Sequence, residues 1–183
     1  MRTYIALLRG VNVSGKNKIS MSDLRSLASK LDFSSPRTVL QSGNLVFECD
    51  ETPTSEIESI LELNSTNILG LTVDFHVRSL QELETAISAN PFEAEAASDP
   101  SHLLLMLFKR PLQAEACENL RKAIKGREFF QTLGREAYFV FPDGIGESKL
   151  TNAVLDSKLT QRGTARNWNT MQKILLSANK CGD

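Results

Sequence analysis

RTVLQSGNLVFE, residues 37–48, sets two short apolar runs, RTVLQ and NLVFE, on either side of Ser42-Gly43. Runs of this length across a glycine-containing turn read as a β-hairpin. Hairpin strands are antiparallel, so this chain cannot fold as a purely parallel sheet. Upstream, TYIALLR at 3–9 reads as a strand. A helix follows from near Ser20, with Ser20 and Asp23 as a capping-box-like pair and Met21, Leu24, Leu27, Ala28 and Leu31 as one apolar stripe. Downstream, Thr52-Pro53 opens a second helix with Pro at its first position, and Gly70 ends it. LTVDFHVR at 71–78 then alternates, with Leu71, Val73, Phe75 and Val77 on one face and Thr72, Asp74, His76 and Arg78 on the other. The order over residues 1–78 is βαββαβ, the split-βαβ or ferredoxin-like arrangement.

The second half starts a similar order. A helix from Ser79, with Glu82 completing a capping box, and the run PFEAEAASDPS form a connector over 79–100. Over 101–183, HLLLMLFK reads as a buried strand and 112–125 as a helix. EFFQTL and AYFVF pair across Gly134. A helix is expected over 148–158, with Ser148 as its cap and Gly163 as a C-cap. Thr164-Ala165-Arg166 forms a short strand, and Asn167 caps a last helix containing Trp168 and Met171. The fold class is α+β: a ferredoxin-like subdomain followed by a second, related α+β subdomain without detectable sequence repetition.

Net charge is −1, which excludes bulk electrostatic attraction to nucleic acid or acidic lipid. The charge is segregated, however. Residues 1–31 carry six Lys/Arg and one acid, residues 32–105 two and thirteen, and residues 106–183 thirteen and eight. An acidic middle between basic ends permits a local positive site. Cys49, Cys117 and Cys181 have no metal-like spacing, and their odd number points to reduced thiols in a cytoplasmic protein. No apolar run is long enough to span a membrane.

RGVNVSGKN at 9–17 contains G-x-x-x-x-G-K from Gly10 to Lys16. A P-loop places that Lys in the first turn of a helix and follows it with a Ser or Thr for magnesium. Here Asn17 replaces the hydroxyl, the helix signal starts later, and the hairpin contradicts a parallel sheet. The loop matters for another reason. In a βαββαβ sheet the exit of the first strand and the hairpin turn share one edge. Arg9, Asn12, Lys16, Asn17 and Lys18 therefore sit beside Gln41, Ser42, Gly43 and Asn44. Glycine-rich turns expose N–H groups and Arg/Lys supply charge, a combination suited to phosphate or carboxylate. The plainer reading is that the glycines only permit tight turns.

In the second half, TARNWNT at 164–170 is the densest polar run, and Arg166 at a helix start opposes the helix dipole. That makes Arg166 a candidate for holding an anion. His76 and His102 stand alone, and no zinc spacing or Ser-His-Asp set is visible. RNA-binding RRM domains share the split-βαβ order, but SGNLVFEC puts Asn44 and Val46 where stacking rings belong.

YIALLRGVNVSGKNKISMSDLRSL, RTVLQSGNLVFE, NPF, SKLTN and TARNWNTMQKIL, in that order, resemble the bacterial family known as domain of unknown function 1697. Ser14 and Ala165 depart from its pattern, which has Gly and Thr there. The resemblance implies an α+β fold with two subdomains, the first ferredoxin-like. It does not imply an activity and brings no catalytic residues to carry over, and it leaves any cofactor unknown.

The expectation is a protein that binds an anionic small molecule such as a nucleotide, or nucleic-acid phosphate. Its site comprises Arg9, Asn12, Lys16, Ser42, Asn44, Lys149, Arg166 and Asn167. One alternative is an enzyme using Ser42, Ser148 or Lys149. Another is an interaction protein whose polar motifs stabilise the subdomain interface.

Overall fold

The computed structural model describes residues 1–13, 15 and 17–180. Its elements in chain order are β1 (Arg2–Leu8), α1 (Met21–Lys30), β2 (Ser34–Thr38), β3 (Asn44–Cys49), α2 (Thr54–Leu69), β4 (Phe75–Ser79), α3 (Leu80–Ser88) and α4 (Glu93–Ser98). Then come β5 (Leu103–Phe108), α5 (Ala114–Ala123), β6 (Phe129–Leu133), β7 (Glu136–Val140), α6 (Asn152–Leu159), β8 (Gly163–Asn167) and α7 (Trp168–Asn179). Two four-stranded antiparallel sheets result, ordered β2-β3-β1-β4 and β6-β7-β5-β8. This is the mixed α+β architecture expected, with a ferredoxin-like order repeated. Met1–Ser88 and the stretch from Gln172 on make one compact unit; Ala89–Met171 makes the other. The sequence had set α3 in a connector and all of α7 in the second half.

In the first unit, Tyr4, Ala6 and Leu8 of β1 join Leu45 and Phe47 of β3 and Phe75 and Val77 of β4 on one face. Leu24, Leu27 and Ala28 of α1 and Ile57 and Leu61 of α2 cover them. Burial of this apolar surface is the main favourable term in folding. β4 is an edge strand, and α2 satisfies that edge. Glu62 Oε1 accepts from the Phe75 N–H at 2.9 Å and Glu58 Oε1 from the Val77 N–H at 2.9 Å.

The opposite face, which carries the polar residues of β4, is buried as well: His76 and Arg78 have no exposed surface, and α3 lies against β1 and β4. β4 is also shorter than the alternating run 71–78. Gly70 ends α2 in the left-handed region, and the Leu71 N–H turns back onto Ser65 O at 3.1 Å. Leu71 and Val73 still pack in the core, but from the connection that follows the cap.

β2 starts at Ser34 rather than Arg37. It is an edge strand whose register shifts between Ser34 and Arg37, a place where Pro36 is tolerated. Residues 39–43 form the turn instead, closed by the Val39 N–H on Asn44 O at 2.9 Å.

In the second unit, Met106, Phe108, Ala137, Phe139 and Phe141 pack against Cys117 and Leu120 of α5 and Leu155 and Leu159 of α6. The expected connector contains α4. The expected helix 148–158 is a 3-10 turn at Ile145–Glu147 and then α6, capped by Thr151 rather than Ser148. Gly163 is not a C-cap: Thr160 occupies that position, and Gly163 opens β8. A Cβ at Gly163 would meet Leu107 O at 2.8 Å and the Phe108 ring at 2.6 Å, so the strand approaches β5 too closely for a side chain.

Registers expose a repeat that residue identity hides. Ile5 faces Arg78 as Leu105 faces Arg166. Each guanidinium donates through Nη1 to the carbonyl of the preceding residue at 2.8 Å, Val77 in one case and Ala165 in the other. The next residue caps the next helix in both. Ser79 Oγ accepts from the Glu82 N–H at 3.1 Å, and Asn167 Oδ1 from the Thr170 N–H at 2.9 Å.

Candidate functional site

In the first unit, the exit of β1 and the β2–β3 turn meet at one rim. The Leu8 N–H donates to Gly43 O at 2.9 Å. Asn12 then clasps the two loops together. Its Nδ2 donates to Gln41 O at 2.8 Å and Ile19 O at 2.9 Å, and its Oδ1 accepts from the Ile19 N–H at 3.0 Å. The backbone of this loop is unusual: Gly10, Asn12, Gly15 and Asn17 all have positive φ. Asn tolerates that region better than other side chains because its short amide bonds locally. Asn17 does so, donating from Nδ2 to Gly10 O at 3.2 Å.

The glycines of the rim differ in kind. A Cβ on Gly43 would meet Val11 Cγ2 at 2.5 Å and Leu8 Cβ at 2.9 Å, so packing requires its absence. Around Gly10 and Gly15 nothing lies within 4 Å of that position. Their glycine serves the backbone conformation and leaves an open surface. Asn12, Gly15, Lys18, Ile19 and Ser20 line a shallow depression there. Lys18 is exposed and Arg9 half-buried. Ser20 opens α1, its Oγ accepting from the Asp23 N–H at 3.0 Å and donating to Asp23 Oδ2 at 2.7 Å. Asp23 thus takes part of the helix N-terminus. α1 begins only at Met21 and β1 is flanked by antiparallel strands, so this is not a P-loop. Lys16 lies outside the described residues.

Ser42 and Asn44 are structural partners of this rim. Asn44 is fully buried, and its Nδ2 donates to Val39 O at 2.8 Å and Ser42 Oγ at 3.0 Å. Asn44 therefore shapes the turn from beneath rather than touching solvent.

The other three expected residues lie in the second unit. Asn167 caps α7. Arg166 is at the end of β8, not in the helix, and its Nη1 donates to Thr164 Oγ1 at 2.9 Å as well as to Ala165 O. Burial pushes its guanidinium pKa down to about 10, because desolvation disfavours the charged form. Lys149 is exposed at the mouth of a cavity of about 180 Å³.

Glu128 and Ser148 also line that cavity, with Lys125, Gly126, Phe141 and Leu150 among the other walls. Ser148 follows the 3-10 turn and does not cap α6. Its Oγ accepts from the Leu150 N–H at 3.0 Å and donates to Glu128 Oε1. Glu128 Oε2 is buried, with no hydrogen-bond donor among the described residues. Nearby Arg127 grips Asp143 through Nε at 3.0 Å and through Nη2, which holds the Asp143 carboxyl below its ordinary range. Glu128 was missed by sequence reasoning. It is one acid in KGREFF, twenty residues from Ser148, and no periodicity or spacing links the two. Among the described residues no cluster of three His, Cys, Asp or Glu forms a metal site, and no helix is long and apolar enough to cross a membrane.

The family model described as "Protein of unknown function (DUF1697)" matches residues 1–138. Among solved structures, a conserved bacterial protein from Streptococcus pneumoniae is similar at a TM-score of 0.74 and 22% identity, over 96% of this chain and 97% of that one. At that identity the likeness is one of fold. No curated protein matches the chain.

Proposed function

This chain belongs to the DUF1697 family, and because that description assigns no activity we propose a function from the chain's own geometry: binding of a phosphate-bearing small molecule at the first-unit rim. The observation that carries the reading is the pair Gly10 and Gly15. Both are exposed, have positive φ and face open space, and Gly15 lines the depression with Lys18. Backbone N–H groups in such turns suit phosphate oxygens, and the lysine supplies charge. Arg9 is the second cation we assign, with Lys16 in the same loop. Asn12 serves the site by holding the two loops together, and Asn44, bonded to Val39 O and Ser42 Oγ, by shaping the turn. Charge-assisted contacts of this kind contribute roughly 1.5–3 kcal/mol each. A net charge of −1 favours a small ligand over a long nucleic acid.

Calorimetric titration with inorganic phosphate, nucleotides and sugar phosphates tests this. The wild-type chain binds at least one class, and Lys18→Ala and Arg9→Ala weaken it about tenfold or more each. Binding unchanged in both variants would remove the rim from the function.

Glu128 favours a second reading, an enzyme with Ser148 as nucleophile. A serine needs a base within hydrogen-bond reach, and the Glu128 carboxylate is one. On this reading a fluorophosphonate probe labels Ser148, and Glu128→Gln abolishes the labelling. An unlabelled wild-type chain would set the reading aside.

A further inference from the structure

Leu40, in the turn between β2 and β3, is a backbone outlier. Its φ is 59°, in the left-handed region. The other described non-glycine residues with positive φ are Asn, Asp, Ser or Thr, which carry small polar side chains; Leu40 alone is apolar. A left-handed conformation is a genuine outlier for a bulky side chain. Packing does not hold it there, since Leu40 is 47% exposed and joins neither apolar core. A strained residue with so little return in burial points to a use at the surface, and such outliers concentrate at ligand-binding sites.

Leu40 stands beside the anion rim. The carbonyl of the next residue, Gln41, accepts from Asn12 Nδ2 at 2.8 Å, and Asn12 lines the depression with Gly15 and Lys18. Val13, the residue after Asn12, is 60% exposed. Each loop thus places one exposed aliphatic residue next to the Asn12–Gln41 bond that joins them. Inorganic phosphate needs only the polar part of this rim. A sugar phosphate gains nothing from the aliphatic part, because sugar hydroxyls seek hydrogen bonds. A flat ring gains from it, because its faces are apolar. The depression is open and measures about 470 Å³, a size that admits a ligand as large as a nucleotide.

We propose that the rim binds a nucleoside monophosphate, with its phosphate at Gly15 and Lys18 and its base across Val13 and Leu40. This rests on the phosphate reading of the rim and names the ligand class. Aliphatic side chains give a base contact area but no hydrogen bonds to its edge. Purines are therefore preferred to pyrimidines, and adenine is not distinguished from guanine.

Calorimetric titration of the full chain with AMP, GMP, CMP, adenosine and ribose 5-phosphate tests this. In wild type, AMP and GMP are expected to bind alike and about tenfold more tightly than ribose 5-phosphate, with CMP between them. Adenosine binds more weakly than AMP. Leu40→Gly keeps the left-handed backbone without the side chain. It brings AMP down to the level of ribose 5-phosphate and leaves ribose 5-phosphate unchanged, which also shows that the variant is folded. Val13→Ser lowers the AMP preference in the same direction. Equal binding of AMP and ribose 5-phosphate by wild type would overturn the base contact and leave the phosphate reading standing. So would an AMP preference retained in both variants. Adenosine binding as tightly as AMP, or no binding by any probe, would overturn both readings. If Leu40→Gly does not fold, the wild-type series and Val13→Ser decide.

Discussion

Asn12 and Tyr138 show how a side chain's surroundings, rather than its type, decide what it does. Asn12 resembles a loop residue available to a ligand, yet its amide is engaged on Gln41 O, Ile19 O and the Ile19 N–H. It builds the rim that other groups use. Tyr138, on β7, is fully buried. Burial first, and the charge of Glu136 second, push its phenol up to about 12 from an ordinary 10. The folded value lies above the unfolded one, so the neutral phenol's contribution to stability is complete below pH 10. It is lost as pH rises from there through about 12. Arg166 slopes the other way across the same window, because its guanidinium is pushed down and deprotonation relieves a buried charge. The wild-type alkaline profile therefore mixes two opposite trends. Tyr138→Phe isolates one of them: in denaturant titrations its stability relative to wild type improves between pH 10 and 12 and is flat below. A difference independent of pH would show that the phenol ionises as easily folded as unfolded.

The two kinds of glycine matter at the scale of the hairpin and its neighbouring loop. Alanine at Gly43 pays for a positive φ and also drives a methyl into Leu8 and Val11, both core residues. Alanine at Gly10 meets only the backbone term, about 1–2 kcal/mol. Gly43→Ala should therefore cost more than Gly10→Ala by roughly 1–3 kcal/mol, the usual penalty for overpacking, as read from urea midpoints at constant slope. Equal costs would mean that the Leu8–Val11 contact yields freely. The same hairpin shows what was legible. Ser42-Gly43 between two apolar runs was enough to reject a parallel sheet, and Ser20, Gly70, Ser79 and Asn167 were readable as caps because capping chemistry is local. Strand edges were less readable. Pro36 disguised the start of β2, since only an edge position with a register shift accepts it. Ser148 looked like a cap from its neighbours, but its bonds run to Leu150 and to Glu128 on a distant segment. The shared rim followed from topology, while the Glu128 cavity depends on a long-range approach that carries no periodic signal.

Across the whole chain, burial reaches further than alternation conveys. LTVDFHVR and Thr164-Ala165-Arg166 carry polar residues, yet His76, Arg78 and Thr164 are buried. An alternating pattern identifies a strand's two faces but does not say that the polar one meets water. The partition of the chain adds a second consequence. α7 starts in the second unit, but from Gln172 on it belongs to the first, and Ile174 and Ala178 there are fully buried. A helix that joins the first unit from so far along the sequence forms contacts that residues 1–88 cannot supply themselves. Truncating Ile174 to alanine removes buried methyl groups and leaves a cavity, at a cost of roughly 2–5 kcal/mol. Hydrogen exchange locates that cost. If the C-terminal part of α7 is integral to the first unit, Ile174→Ala accelerates exchange of the β1 and β3 amides while β5 and β7 retain their protection. Faster exchange confined to β5 and β7 would assign the helix to the second unit instead, and uniform acceleration would mean that the two units unfold as one.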